Sequence, residues 1–393
     1  MPRSKLMNFL KKYNSDNKLS VNIWGDQAAN AVKQALLHSG ACIPLISPVK
    51  TTTIAEHAQE TQLAQSTTVG GKIIDLIFPV SSYSNNQNTT KLVRVSDVTV
   101  RNYNGYHIVE SCSELVLDLS SVYAPISVIK PISQGIELDP IEAGFLLFHD
   151  TDPNNYCHFI LDVLSRCYLL NLLEDKPALL FPVFLKSSYH EFFFRKLTDL
   201  GFLLKFINED EFCSVNKLYV ITLGGRISGH PVLNNNKAAI NYINNFVTIT
   251  SKIRRGSILW VSRVNTRRVL EEDIILKRLS AIYELTVSDL DGLDVEQQAN
   301  LFNEHQVIVG PHGAAFTNIC FQEKSPHTRV LVEIFCKNNG MATYSLLANA
   351  KECKHYSYVG DRISTSHPNY PDVSVDVNDF VDFFSEIVML NLA

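Results

Sequence analysis

Along the last third of the chain, short apolar runs rich in β-branched residues alternate with stretches of helical period. Ser257-Ile258-Leu259-Trp260-Val261 has the pattern of a buried strand. From Leu270 to Ile282, the apolar positions Ile274, Ile275, Leu276 and Leu279 recur at helical spacing. Glu271, Glu272 and Asp273 open that stretch, where a helix dipole favours negative charge. Glu284 to Val287 predicts a second strand, Val295 to His305 a helix, and Gln306 to Val309 a third strand. Arg329 to Phe335 predicts a fourth strand, Met341 to Ala350 a helix, and His355 to Val359 a fifth strand. Strands beginning roughly every 20 to 26 residues give the βαβ rhythm of a parallel, doubly wound sheet.

The same rhythm is present upstream, less regularly. Phe145 to Phe148 reads as a strand, His149 to Asn155 as a polar loop and Tyr156 to Leu173 as one long helix. Pro177 to Leu185 and Lys217 to Thr222 read as strands, with a helix from Phe192 to Leu200 between them. Residues 14–140 hold strand-like pieces, Lys72 to Phe78 and Ser127 to Lys130, and a polar loop from Ser81 to Thr90. A linker rich in Gly, Asn and Pro falls near Gly224 to Lys237. The expected organisation is therefore an N-terminal domain over residues 1–238 and a C-terminal domain over residues 239–376. The amphipathic tail from Val377 to Leu392 is expected to pack back on the first of these.

Composition narrows the class. The 393 residues are 46% hydrophobic and 19% charged, with a formal net charge of −5. That balance belongs to an ordinary globular chain without the basic footprint of a general nucleic-acid binder. Eight cysteines are scattered with no C-x-x-C pair and no zinc spacing, which reads as free buried thiols in a reducing compartment. The start of the chain lacks the apolar region of a signal peptide, and no apolar run reaches the roughly 18 residues of a spanning helix. A cytoplasmic location is expected. Leu6, Phe9, Leu10 and Tyr13 share a helical face beside Lys5, Lys11 and Lys12, so residues 1–13 fit either a docking helix or a peripheral contact at the inner face of the membrane.

Four places could carry chemistry. The first is Val307-Ile308-Val309-Gly310-Pro311-His312-Gly313-Ala314-Ala315-Phe316-Thr317-Asn318: a strand, a tight turn and a small-residue helix start. Free N–H groups and the dipole make such a start an anion site, phosphate above all. His312 is either a phosphate donor or a histidine satisfied in the core, and Gly310 and Gly313 let backbone approach a ligand. The second is the basic loop Arg263 to Arg268, at the carboxyl end of a strand, where open α/β sheets bind ligands. Arginine's planar fork suits phosphate, although a solvated basic loop has the same composition. The third is Glu333, a carboxylate inside an apolar strand, which needs a partner such as a ribose diol or a buried arginine. The fourth is the stripe Asn155, His158, Asp162 and Arg166, spaced by three and four along a helix. It is either a solvated face with an Asp162–Arg166 pair or a cleft-facing general base.

Together these features resemble glycosyltransferase family 61. The resemblance is carried by Val261-Ser262-Arg263 with Arg268, by Val309 to Asn318, by Val332-Glu333-Ile334, and by Asn155, His158 and Asp162. It covers about residues 145–358 and is most specific at Pro311-His312-Gly313-Ala314. It implies the GT-B fold, two Rossmann-like α/β domains facing across a cleft, and inverting transfer with no catalytic metal and no cofactor. The partners implied are a nucleotide-sugar donor and a glycan or lipid-linked glycan acceptor, with no nucleic acid. Donor binding falls to Arg263, Arg268, Gly310, His312, Gly313, Ala314, Asn318 and Glu333, the last on the ribose. Asp162, or His158 as the alternative, is the expected base, and closure of one domain on the other would assemble the site. One departure is Glu271-Glu272, where the family often has Asn-Glu. The expected setting is bacterial capsular or lipopolysaccharide biosynthesis. The competing readings are a nucleotide-sugar epimerase or hydrolase on the same fold, and a non-catalytic nucleotide-sugar-binding protein.

Overall fold

The computed structural model describes residues 51–58, 89–103, 106–111, 114–115, 135–147, 154–173, 176–183, 187–223, 237–337, 343–363 and 371–392. The expectations placed on residues 1–13, 72–78, 81–88, 127–130 and 224–236 lie outside them. The chain divides into two compact units, the described parts of which run to Leu223 and from Lys237 onward. Among the described residues no helix is long and apolar enough to cross a membrane. Six described cysteines, Cys157, Cys167, Cys213, Cys320, Cys336 and Cys353, are free and buried.

The first unit is built on an eight-stranded sheet. Its strands are β1 (Thr51–Ala58), β2 (Thr89–Tyr103), β3 (Tyr106–Ser111), β4 (Glu114–Leu115), β5 (Ile136–Leu146), β6 (Ala178–Pro182), β7 (Leu204–Ile207) and β8 (Glu211–Leu223). Their order is β4-β3-β2-β8-β5-β6-β7, with β1 paired to β2. The stretch β8-β5-β6-β7 is parallel, as the βαβ rhythm requires. The remainder is antiparallel, so this unit is a mixed sheet rather than the wholly Rossmann-like one expected. The reason lies in β2, whose buried Val95, Val98 and Val100 pack with Val215, Leu218 and Val220 of β8. Tyr103 pairs with Tyr106 across Asn104-Gly105, the dipeptide that two-residue hairpins favour.

Between β5 and β6 the expected long helix is a composite. One α turn, Tyr156–His158, passes into a π turn, Phe159–Val163, and then a 3-10 stretch, Leu164–Leu172. Asn155 caps it, accepting from the N–H groups of Cys157 (3.0 Å) and His158 (3.4 Å). The run is apolar almost all round, with Phe159, Ile160, Leu161, Val163 and Leu164 all buried. Such a run is enclosed on every side. It is pinned to α1 (Ser188–Asp199) through Phe159, whose ring meets His190 edge-on at 4.4 Å.

The second unit follows the predicted order closely. Its sheet is β10-β9-β11-β12-β13-β14, formed by β9 (Arg254–Val261), β10 (Leu285–Ser288), β11 (His305–Pro311), β12 (Val330–Cys336), β13 (Lys354–Ile363) and β14 (Asp372–Ser374). All pairs are parallel except β13 with β14. The helices are α2 (Lys237–Ile243), α3 (Glu272–Leu279), α4 (Val295–Glu304), α5 (Thr343–Ala350) and α6 (Val377–Leu392). A capping box starts α4: Asp294 accepts from the Gln297 N–H (2.8 Å) and Gln297 from the Asp294 N–H (2.9 Å). The expected helix after Gly313 is a 3-10 helix, Ala314–Phe321.

One face of this sheet, with Ile258, Trp260, Val307, Val309, Val332 and Ile334, packs on α3 and α6. The tail α6 therefore belongs to the second unit, which corrects the expectation that it returns to the first. Its Phe380, Phe383, Phe384 and Ile387 recur at helical spacing and lie inside that core. Phe380 meets Trp260 edge to face at 5.9 Å, and both are fully buried. Phe380→Ala is expected to destabilise the second unit by about 3–5 kcal/mol. Urea unfolding followed by tryptophan fluorescence checks this, and an unchanged midpoint would show α6 to be an appendage.

Candidate functional site

The strand order of the second unit dictates where a ligand can sit. From β9 the chain steps outward to β10, and from β11 it steps the other way to β12 and β13. The sheet therefore reverses direction between β9 and β11, and in open α/β sheets the crevice beyond such a switch point receives the ligand. The two strands leave it as Val261-Ser262-Arg263 and Pro311-His312-Gly313. They approach closely: a Cβ on Gly310 would stand 2.4 Å from the Val261 carbonyl oxygen. Gly310 thus serves the close packing of the two strands.

Gly313 lies against Arg263. Its backbone is extended, and a Cβ there would lie 2.9 Å from the guanidinium carbon of Arg263. The guanidinium rests on the backbone where the 3-10 helix begins at Ala314. Arg263 is half-buried and has no hydrogen-bond or ion-pair partner among the described residues. Burial pushes its pKa below the ordinary arginine value, while nearby Tyr344 acts in the opposite sense. A desolvated cation without a counter-charge is unfavourable, and a bound anion relieves it.

The loop that carries Arg263 is held from both ends. Ser262 donates to Glu272 (2.5 Å). Glu271 accepts from the Ser374 hydroxyl (2.7 Å) and the Val375 N–H (2.9 Å). The Glu271-Glu272 pair is thereby an anchor for the loop. Arg268, expected on the donor, is instead bound to Asp372 at 2.7 and 3.1 Å, and Asp372 also accepts from the Arg268 N–H. That carboxylate is 2% exposed and takes the arginine fork for itself. Arg267, which the sequence did not single out, has φ of 57° and donates to the His312 carbonyl (3.4 Å). A left-handed conformation in a residue other than glycine holds only where its surroundings impose it. Asn318 is also reassigned. It is fully buried and donates to Gln298 (3.1 Å) and to the Ala315 carbonyl (3.0 Å).

Glu333 is partnered within the protein by histidines rather than by an arginine. It is fully buried, and its two oxygens meet His312 Nδ1 at 2.5 Å and His355 Nε2 at 2.8 Å. The register explains the grouping: Gly310 pairs with Glu333, and Glu333 with Ser357. His312 lies two residues beyond Gly310 and His355 two before Ser357, so the period of two puts all three on one face. Burial pushes the Glu333 carboxyl up, but the hydrogen bonds and charges of the two histidines outweigh it and hold the group below its ordinary value. His312 also stacks on Phe335, ring centres 5.2 Å apart.

In the first unit, His158 and Asp162 come together across the junction of the α and π turns, Nδ1 to Oδ2 2.8 Å. Asp162 and Arg166 are buried, so the stripe is not a solvated face. His158 is the more exposed of the bonded pair. A π turn inside a helical run recurs at functional sites.

The family model described as Glycosyltransferase 61 matches residues 156–331. Those residues form a Glycosyltransferase 61 domain. A domain of that family implies glycosyltransferase activity, with a sugar donor and an acceptor, neither of them specified, as substrates. The glycosyltransferase 61 match takes in His158 and Asp162, Arg263, and the turn from Gly310 to Asn318, and it stops short of Glu333 and His355. Comparison with curated proteins finds no match to the chain.

Two expectations follow. Arg263→Ala is expected to weaken binding of inorganic pyrophosphate by about ten- to a hundredfold, the 1.5–3 kcal/mol of a charge-assisted bond. Arg268→Ala is expected to leave that affinity unchanged, and calorimetry compares the two. The second expectation concerns acid. The Glu333 pKa is lowered, so its share of stability is full above the ordinary value of 4.5 and is lost as the pH falls through the folded value. Denaturant midpoints against pH should therefore run flatter in acid for Glu333→Gln than for the wild type.

Proposed function

We propose that this glycosyltransferase has the GT-B arrangement and moves a sugar, with inversion, from a nucleotide-sugar donor to a hydroxyl of a glycan acceptor. The observation that carries the reading is Arg263: a half-buried guanidinium, without a protein counter-charge among the described residues, at the switch point of a doubly wound sheet. The donor diphosphate is the anion that suits it. Arg263 and His312 face the charge that grows on the leaving diphosphate, with the backbone at Gly313 and Ala314 alongside. Stabilisation of this kind is worth about 3 kcal/mol per well-placed donor.

The acceptor needs a base. With its ring proton on Nδ1 toward Asp162, His158 is basic at Nε2. His158 then takes the acceptor proton while Asp162 orients the ring and stabilises the imidazolium. The acceptor oxygen bonds to the anomeric carbon as the bond from that carbon to the diphosphate oxygen breaks. The electron pair leaves on the diphosphate, and attack from the opposite side inverts the centre. We assign the acceptor to surface-polysaccharide assembly, free or lipid-linked, on the cytoplasmic side of a bacterial membrane. The free buried thiols support a reducing compartment.

A panel of nucleotide sugars screened by thermal stabilisation, with and without EDTA, tests the donor assignment; stabilisation by none of them sinks it. Stabilisation that EDTA abolishes would require a metal in the site. With the donor in hand, Asp162→Asn and His158→Ala are each expected to lower turnover by about 10²–10⁴-fold. The double variant should be no worse than the more damaging single one, because the pair acts as a unit. Full turnover in His158→Ala would remove the base assignment, and release of free sugar without transfer would point to a hydrolase.

A further inference from the structure

His355 lies in β13, beyond the residues that match the family, and among the described residues its side chain hydrogen-bonds to Glu333 alone. Its other ring nitrogen, Nδ1, is buried with no hydrogen-bond partner among the described residues. A buried polar atom left unsatisfied is unfavourable, and a leucine would fill a strand interior without that penalty. The histidine is explained by what its Nε2–H does to the carboxylate. We propose that His355 is a positioning residue: through Glu333 it keeps the proton on the His312 imidazole, so that a cationic ring presents Nε2–H to the leaving diphosphate. The inference rests on the donor-phosphate reading above.

Ionised Glu333 carries no hydrogen, so each short contact requires the proton on the histidine nitrogen. His312 therefore holds its Nδ1 proton toward Glu333. Its Nε2 makes no hydrogen bond among the described residues. A neutral ring in that tautomer would turn a lone pair on an anion, whereas the imidazolium turns a charged donor on it. The neighbours divide in their effect. Arg263 and Arg267, from the loop after β9, oppose a positive ring. Tyr344 of α5, with its ring centre 5.4 Å from that of His312, brings no charge while protonated. Ionised Glu333 of β12 alone favours the imidazolium, and it is fully buried. A carboxylate in that position tends to take up a proton. Without His355 on its second oxygen, Glu333 would draw the proton from His312 Nδ1, and the positive charge facing the diphosphate would vanish. His355, donating from Nε2, prevents this by holding the second oxygen of the carboxylate.

The experiment is nitrogen NMR of the full chain labelled with ¹⁵N-histidine, the His312 signals being identified by their loss in His312→Asn. Calorimetry with inorganic pyrophosphate accompanies it. In the wild type both His312 nitrogens should be protonated at the pH where pyrophosphate binds. In His355→Leu the Nδ1 signal should move to that of an unprotonated nitrogen, with pyrophosphate about tenfold weaker. His355→Gln, which keeps an N–H donor in place of Nε2, should restore both. A neutral His312 in the wild type overturns the proposal and needs no variant. An unchanged ring in a folded His355→Leu also overturns it while leaving the phosphate reading standing. Failure of the wild type to bind pyrophosphate overturns both.

Discussion

A carboxylate sealed from water has to be satisfied by what the fold brings to it, and at Glu333 the fold brings two histidines from the neighbouring strands. That bridge crosses three adjacent strands on one face of the second sheet, tying the turn after β11 to β13. The orientation of His312 depends on it, and with that ring goes the turn on which Gly313 meets Arg263. Replacing such a group by an apolar one would relieve a desolvation penalty. Its presence in the interior of the sheet is therefore better explained by its hold on the two rings than by stability.

The remaining geometry follows from distances that tolerate little change. At the switch point the Val261 carbonyl leaves no room for a side chain at position 310, and the Arg263 guanidinium leaves none at 313. Two glycines in one turn thus do different work: one lets two strands close up, the other lets a cation lie flat on the backbone. In the first unit the comparable device is a change of helical pitch. An apolar run, enclosed on every side, carries Asp162 within hydrogen-bond reach of His158 across a π turn.

Much of this was legible in the residues. The βαβ rhythm placed the strands of the second unit, because parallel strands covered on both faces read as continuous apolar runs. The turn at His312 and the arginine at 263 stood out because glycine, proline and arginine punctuate an otherwise apolar pattern. Three things were hidden, each for a physical reason. Arg268 and Asp372 are 104 residues apart, so nothing local distinguishes a ligand arginine from one held by a distant carboxylate. His355 looks like any polar residue at a strand start until register sets it diagonal to Glu333. The antiparallel half of the first sheet had a signal, the Asn104-Gly105 dipeptide, which a search for helical crossovers passes over. The tail helix was read correctly from Val377 to Leu392, yet its amphipathic pattern says only that one face is covered and not by which core.

The Glu333 bridge has one more consequence, for time rather than for energy. The two N–H protons that face this carboxylate point into a strand interior that solvent does not reach. They exchange with water only when the sheet opens locally, and such openings are rare in the core of a parallel sheet. The hydrogen-bond state behind the turn at His312 is therefore insulated from rapid fluctuations in the surrounding solvent. The carboxylate side of the bridge thus changes on the clock of the backbone.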